Sequence, residues 1–200
     1  MDELTLSEAT QAALQSFLVS QKAIEITNHN DMSGFKENWQ LSQFWYNQKC
    51  ASTLAKEIFT DKKVGFVSIP SVFIQYKRLY PENECTLFEF DDRFNSFKEF
   101  HHFDYKLSLI TPEIESKYDC IIVDPPFFSE ECLTKMMKFV DRLATLNCKI
   151  IVCTGLVMTR QLVNCDFELT KYELCHEKGF ANDYGCFLNY NSSNDEFRTQ

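Results

Sequence analysis

The sequence Asp124-Pro125-Pro126-Phe127 carries residue types that can bind and orient an amine. The two prolines fix φ and remove two backbone donors, and each favours an extended conformation in the residue before it. The carbonyls of Asp124 and Pro125 therefore stay available, and with the Asp124 carboxylate they form a site made of acceptors. Phe127 adds an aromatic face that tolerates positive charge growing on nitrogen. The tetrapeptide indicates chemistry at an amine, with a plain Pro-Pro turn as the alternative.

The flanking sequence places this tetrapeptide on a loop between a strand and a helix. The apolar run Cys120-Ile121-Ile122-Val123 before it predicts a buried strand. Ser129 can cap a following helix, and Glu130 and Glu131 would lie in its first turn, where acidic side chains are favourable. Ligands of open α/β sheets bind at this strand-to-helix edge. The order strand, tetrapeptide, capped helix therefore favours an enzyme over a structural turn.

Hydrophobic spacing predicts the other elements of an α/β chain. Helices are expected over residues 3–24, 42–59 with Ser42 as the cap, 71–80, 129–144 and 156–163. Strands are expected over residues 64–69, 85–90, 100–103, 118–123, 148–153, 167–175 and 184–190. Residues 41–190 are therefore predicted to form one domain. Residues 1–40 would be a helix and loop extension, with 25–38 a loop, and residues 191–200 a polar, frayed tail.

Strand ends offer candidates for binding a nucleotide-like cofactor. Glu89 closes the second strand, where an acid can accept hydrogen bonds from ribose hydroxyls, with a surface charge run as the alternative. The first strand ends in Ser68-Ile69-Pro70-Ser71, without the usual glycine-rich turn, so this stretch alone does not suggest a cofactor.

Three adjacent aromatic residues, Phe44-Trp45-Tyr46, fall in the first turn of the predicted second helix. Neighbours on a helix point about 100° apart, so the three rings cannot all face one core. At least one ring is expected to face a cleft or a ligand. The alternative is that two rings pack inside and one is half exposed.

Composition narrows the functional classes. The 200 residues, 44% of them hydrophobic, suffice for one domain with a sizeable core, and no apolar run approaches the ~20 residues of a membrane helix. Nine scattered cysteines without a Cys-x-x-Cys spacing favour reduced thiols in a cytoplasmic protein and argue against a zinc site. The net charge of −9, with no Lys/Arg cluster longer than two residues, favours a protein or small-molecule substrate over nucleic acid.

Four stretches resemble the elongation factor 1-alpha lysine methyltransferase 1 family, within a resemblance that runs from about residue 3 to residue 190. They are Gln40-Leu41-Ser42-Gln43-Phe44-Trp45-Tyr46, Val67-Ser68-Ile69-Pro70-Ser71-Val72, Phe88-Glu89-Phe90-Asp91-Asp92-Arg93-Phe94 and Asp124-Pro125-Pro126-Phe127-Phe128-Ser129-Glu130-Glu131-Cys132-Leu133. The resemblance implies a single-domain, Rossmann-like, seven-stranded methyltransferase fold with N-terminal helices and a C-terminal antiparallel hairpin. It also implies methyl transfer from S-adenosylmethionine, without a metal, to a lysine of elongation factor 1-alpha. The family has a Ser-x-Pro-Ser turn after the first strand, which accounts for the missing glycines.

The resemblance also assigns roles to individual residues. Glu89 is implied as the partner of the ribose, and Asp104 as the partner of the adenine amine. Asp124 would accept from the substrate amine with help from the Pro125 carbonyl, and Phe127 would cover that amine. The residues expected to contact the cofactor are Phe44, Trp45, Ser68, Pro70, Glu89, Asp104 and Asp124.

Two alternatives use the same residues. An adenine-N6 methyltransferase acting on DNA or RNA would stack a flipped base on Phe127 and would need a basic groove. A catalytically silent fold that only binds a partner is the other alternative, although the intact Asp124 and Phe127 argue against it.

Overall fold

A computed structural model describes residues 32–59, 63–107, 110–179 and 183–199. The predicted helix over residues 3–24 and the first part of the predicted loop over residues 25–38 lie outside these ranges. The remaining predicted elements fall within them.

Seven strands of the described residues form one mixed sheet. They are β1 (Val64–Val67), β2 (Cys85–Glu89), β3 (Phe100–His102), β4 (Tyr118–Val123), β5 (Ala144–Gly155), β6 (Glu168–Leu169) and β7 (Tyr184–Leu188). Their order across the sheet is β3-β2-β1-β4-β5-β7-β6, and β7 runs antiparallel to both of its neighbours. The central strands β1 and β4 are almost entirely buried, as expected for parallel strands covered on both faces. The predicted α/β class and the closing antiparallel pair are confirmed.

Helices cover both faces of the sheet in the described part of the chain. They are α1 (Gln48–Glu57), α2 (Pro70–Leu79), α3 (Glu130–Leu143) and α4 (Thr159–Val163). Helices α1 and α2 pack on one face with Phe66 and Ile122, whereas α3 and α4 pack on the other with Val67 and Ile121. Helix α3 begins as predicted, since the Ser129 hydroxyl accepts a hydrogen bond from the Cys132 amide at 3.2 Å.

The prediction that Ser42 caps the helix before β1 is wrong. Ser42 ends a short 3-10 helix, Trp39–Leu41, in a left-handed conformation with φ +52°. Helix α1 begins after Asn47, whose side chain accepts from the Cys50 amide at 2.8 Å. The apolar spacing of α1 is real, but it continues by chance through Phe44, so periodicity alone placed the helix start too early.

The C-terminal segment differs from its prediction in two respects. The strand predicted over residues 167–175 pairs in the sheet only at Glu168–Leu169. The predicted fraying of the tail is wrong for its described part, because Phe197 is fully buried and stacks on Tyr172 with ring centroids 4.5 Å apart. Thr199 also pairs with Thr170. One buried ring anchors an otherwise polar segment.

Candidate active site

The carboxyl ends of β1, β2 and β4 border one cavity of about 230 Å³. All nine residues that the sequence singled out line it, namely Phe44, Trp45, Ser68, Pro70, Glu89, Asp104, Asp124, Pro125 and Phe127. Parallel strands bring their carboxyl ends to the same edge of a sheet, which explains why residues far apart in the chain meet there. The structure brings these residues together, and their individual roles stay predictions.

The turn between β1 and α2 borders the cavity without a glycine. Ser68 adopts φ +54°, in the left-handed region where glycine is favoured, and its amide donates to the Phe88 carbonyl at 2.8 Å. Pro70 occupies the first position of α2, where a missing N–H and a fixed φ are compatible with the helix. In this turn, Ser68 adopts the left-handed backbone conformation that a glycine usually adopts.

Glu89 ends β2 with its carboxylate held by its own chain. Its Oε1 accepts from the amides of Phe90 at 3.0 Å and Asp91 at 3.1 Å. Burial raises the pKa of Glu89 to about 7, the Asp91 charge adds to the rise, and hydrogen bonds from the two amides and from Gln43 oppose it. At 5% exposure, Glu89 is not part of a surface charge run. A preoriented, buried acceptor of this kind suits a pair of neighbouring hydroxyl groups.

Asp124 follows β4 and is fixed by both its backbone and its side chain. Its amide donates to the Val67 carbonyl at 3.1 Å, and its Oδ2 accepts from the Tyr46 hydroxyl at 2.9 Å. Burial raises the pKa of Asp124 to about 8, the Tyr46 hydrogen bond opposes the rise, and the Glu89 charge adds to it. Asp124 in the free site is therefore a carboxyl that exchanges its proton close to neutral pH.

Tyr46 is a cavity-lining residue to which no role was assigned from the sequence. All three residues, Phe44, Trp45 and Tyr46, line the cavity, whereas their burial follows the alternative, because Trp45 and Tyr46 are buried in the core and Phe44 is half-buried. The three rings do not share a helix, since these residues precede α1 in an irregular segment. The feature that marks Tyr46 as a site residue is the contact between its hydroxyl and the Asp124 carboxylate. Only the fold brings these two groups together, so the sequence could not reveal the contact.

A cluster of rings holds Tyr46 in place. Its ring stacks on His176 with centroids 4.5 Å apart, and the backbones of the two residues form an antiparallel bridge. The His176 ring contacts Tyr184 at 4.7 Å, and Tyr184 also lines the cavity. Burial lowers the pKa of His176 to about 4, so its ring is neutral at physiological pH.

The mouth of the cavity is aromatic and polar. Phe127 is 42% exposed, and its ring lies 6.1 Å from that of Tyr105. Asp104 Oδ1 accepts from the Lys106 amide at 2.8 Å, which fixes the carboxylate at the rim. Phe127 is thus available to contact a ligand that enters from solvent.

Within the described ranges, the structure holds neither a metal-binding cluster nor a helix that could span a membrane. No group of three or more His, Cys, Asp or Glu side chains there could hold a metal ion. None of the helices in those ranges has the length and apolar character needed to cross a membrane. All nine cysteines are free thiols.

The carboxyl of Asp124, which is half-buried and has a raised pKa, should lower the stability of the unliganded protein at high pH. Its proton is released with a pKa of 3.8 in the unfolded chain and about 8 in the folded one, so folded stability falls as pH rises across that window. Asp124→Asn removes this penalty and keeps an acceptor for the Tyr46 hydroxyl. We expect its melting temperature to exceed that of the parent by several degrees at pH 8.

The difference should close as pH falls towards 4, because each pH unit contributes at most about 1.4 kcal/mol. Melting curves of both proteins without cofactor, recorded from pH 4 to pH 9, measure it. A difference that does not change with pH would contradict the raised pKa.

Comparison with known proteins identifies a family to which this chain is similar. The family described as "Probable N6-adenine methyltransferase" matches residues 37–192. EEF1A lysine methyltransferase 1 from Homo sapiens is 37% identical over 206 residues, covering 95% of this chain and 94% of that protein. Protein-lysine N-methyltransferase EFM5 from Saccharomyces cerevisiae is 34% identical over 192 residues, covering 83% of this chain and 77% of that protein.

Solved structures share the fold at low sequence identity. A predicted O-methyltransferase from Agrobacterium tumefaciens has a TM-score of 0.52 at 10% identity, covering 69% of this chain and 79% of that chain. A SAM dependent methyltransferase from Archaeoglobus fulgidus has a TM-score of 0.50 at 8% identity, covering 71% of this chain and 93% of that chain.

Proposed function

We propose that this chain, which belongs to the family of EEF1A lysine methyltransferase 1, transfers a methyl group from S-adenosylmethionine to a lysine of elongation factor 1-alpha. The observation that carries the proposal is the meeting of two preoriented carboxyls in one cavity. Both carboxyls line that cavity, and we infer that Glu89 binds the ribose and Asp124 the amine. Nine free cysteines support a cytoplasmic location as part of the proposal.

The cofactor half of the cavity fits a nucleoside. Glu89 has one oxygen held by two amides, which orients the other for the ribose hydroxyls. Asp104, fixed at the rim, can accept from the adenine amine. Ser68 and Pro70 border the space left for the methionine end, and Phe44 and Trp45 add aromatic walls. When bound, S-adenosylmethionine supplies a sulfonium methyl group that is already activated for transfer.

The amine half of the cavity must align a lysine and deprotonate it. A lysine in water has a pKa near 10.4, so only about one molecule in 10³ is neutral at pH 7. Asp124 and the Pro125 carbonyl can accept N–H groups of the amine, while the Tyr46 hydroxyl fixes the carboxylate. In its ionised form, Asp124 is a stronger base than an ordinary carboxylate, because burial raises its pKa. We assign Asp124 two roles, orienting the amine and receiving its proton.

Phe127 should act through its ring face. Phe127→Tyr is expected to keep activity, because the face is retained. Phe127→Ala should lose a cation–π contact of roughly 0.5–2 kcal/mol, or roughly 2- to 30-fold in rate, in addition to the shape of the pocket. Initial rates of both variants on the protein substrate test this.

Phe59→Ala is the matched control, since Phe59 is 50% exposed and does not line the cavity. Equal rates for Phe127→Ala and the parent would contradict a role for the ring face of Phe127 in methyl transfer.

The substrate is tested by offering three candidates in parallel. Purified elongation factor 1-alpha, duplex DNA and single-stranded RNA are each incubated with the protein and labelled S-adenosylmethionine. Label is expected in the elongation factor, because the net charge of −9 does not provide the phosphate-binding surface that nucleic acids need. Label in nucleic acid alone would favour the adenine-N6 alternative. Mass spectrometry of the elongation factor then identifies the lysine and its degree of methylation.

A further inference from the structure

Arg93 connects three parts of the chain beside the cofactor half of the cavity. It lies in a 3-10 helix, Asp92–Ser96, that follows β2. Its Nε donates to Asp91 Oδ2 at 2.8 Å, one terminal nitrogen donates to Gln43 Oε1 at 3.0 Å, and the other donates to the Lys36 carbonyl at 3.0 Å. One guanidinium therefore holds residues 36–43 against the end of β2.

Gln43 transmits this arrangement to the cavity. Its Nε2 donates to Asp91 Oδ2 at 2.9 Å, and its side chain also hydrogen-bonds to Glu89. Gln43 lines the cavity, whereas Arg93 and Asp91 are not among the described lining residues. Arg93 therefore acts on the site through other residues, without being placed to touch a ligand itself.

Because Asp91 is charged, the arrangement around Glu89 is sensitive to the loss of Arg93. Asp91 is 7% exposed, and its amide donates to Glu89 Oε1. Burial alone would raise its pKa, but hydrogen bonds from Arg93 and Gln43 hold that pKa below its usual value. Removing Arg93 would leave a buried carboxylate with reduced compensation two residues from Glu89, and such uncompensated charges are strongly unfavourable.

We propose that Arg93 is a positioning residue for the cofactor half of the site. It holds residues 36–43 over the end of β2 and neutralises Asp91 beside Glu89. This inference rests on the proposed use of S-adenosylmethionine, because the ligand that Glu89 and Gln43 would contact is its nucleoside.

Calorimetric titration with S-adenosylhomocysteine tests the proposal on the full chain. Arg93→Ala is expected to weaken binding about tenfold or more, because the hydrogen bonds that it loses are charge-assisted. The double variant Arg93→Ala/Asp91→Asn should recover part of that loss, since asparagine removes the stranded charge and its one side-chain oxygen can still cap the 3-10 helix through the amide of residue 93. The contacts of the Arg93 side chain to Gln43 and Lys36 stay lost in this variant. At saturating cofactor, turnover and the KM for the protein substrate should stay within about twofold of the parent.

Arg142→Ala provides the matched control. Arg142 pairs with Glu115 at 3.0 Å, and neither residue lines the cavity. This variant should bind S-adenosylhomocysteine as the parent does. Circular dichroism of each variant establishes that it is folded before titration.

Four results separate the possible failures. Parent-like binding by Arg93→Ala would overturn the proposal. A double variant that binds no better than Arg93→Ala would also overturn it, because a purely structural role predicts no rescue by charge removal. If Arg93→Ala does not fold, Arg93→Lys replaces it, and parent-like binding by that variant would overturn the need for the guanidinium fork. Failure of the parent itself to bind S-adenosylhomocysteine would instead contradict the proposed function.

Discussion

Asp124→Ala is expected to lower turnover by roughly 10²- to 10³-fold, while the affinity for S-adenosylhomocysteine changes much less. The substitution removes the acceptor that orients the amine and receives its proton, and it leaves the Tyr46 hydroxyl without its partner. Deleting one preorganised group in a closed site costs on the order of 2.7–4 kcal/mol of transition-state stabilisation in comparable cases. Single-turnover rates at saturating cofactor, together with calorimetry, separate the two effects. A variant with near-parental turnover would show that another residue handles the amine.

Tyr46→Phe provides a graded comparison for Asp124→Ala. It removes the hydrogen bond to Asp124 Oδ2 and keeps the ring that stacks on His176. The expected loss is that of one hydrogen bond, roughly 0.5–1.5 kcal/mol or about 2- to 10-fold in rate. Turnover should therefore decrease in the order parent, Tyr46→Phe, Asp124→Ala.

Glu89→Gln is expected to weaken binding of S-adenosylhomocysteine by roughly 10- to 100-fold, while turnover at saturating cofactor is largely kept. Glutamine can still accept from the Phe90 and Asp91 amides through its one oxygen. The atom that faces the ribose then becomes an N–H donor, and a hydrogen bond to a charged acceptor, worth roughly 1.5–3 kcal/mol, is lost. Calorimetry and the KM for the cofactor measure the change.

Glu99→Gln is the matched control for Glu89→Gln. Glu99 is a largely buried acid that precedes β3, so it lies at the amino end of the parallel strands, away from the cavity at their carboxyl ends. It pairs with Lys77 at 2.9 Å. Its substitution should leave cofactor affinity unchanged. Equal affinity for Glu89→Gln and the parent would assign the ribose to another residue.

The strands and the tetrapeptide could be predicted because their signals are local. A run such as Cys120–Val123 is buried on both faces of the sheet, so its composition alone indicates a strand. Parallel topology then places Glu89 and Asp124 at one edge, whatever the details of their loops. The expected cofactor contacts of Phe44, Trp45, Ser68, Pro70 and Asp104 were instead implied by the resemblance to the family.

The contacts that complete the site could not be predicted, because they join distant parts of the chain. Tyr46 and Asp124 are 78 residues apart, and Gln43 and Arg93 are 50 apart. In the sequence, Asp91 and Arg93 belong to a charged stretch that is typical of a protein surface. They gain their partners only because residues 36–46 cross the end of β2. Residues 42–46 were assigned to a helix from the sequence, so this irregular path was not expected.

The bridge between Tyr46 and His176 bears on how the enzyme matures during translation. These residues are 130 positions apart (176 − 46), so at about 5–20 residues per second His176 follows Tyr46 from the ribosome by roughly 6–26 s. A nascent chain that already contains Asp124-Pro125-Pro126-Phe127 still lacks the ring on which Tyr46 stacks and the strand that pairs with β5. A gene interrupted after this tetrapeptide would therefore encode the recognisable motif without a complete amine pocket, and without β5 it would leave the edge of β4 open to other chains.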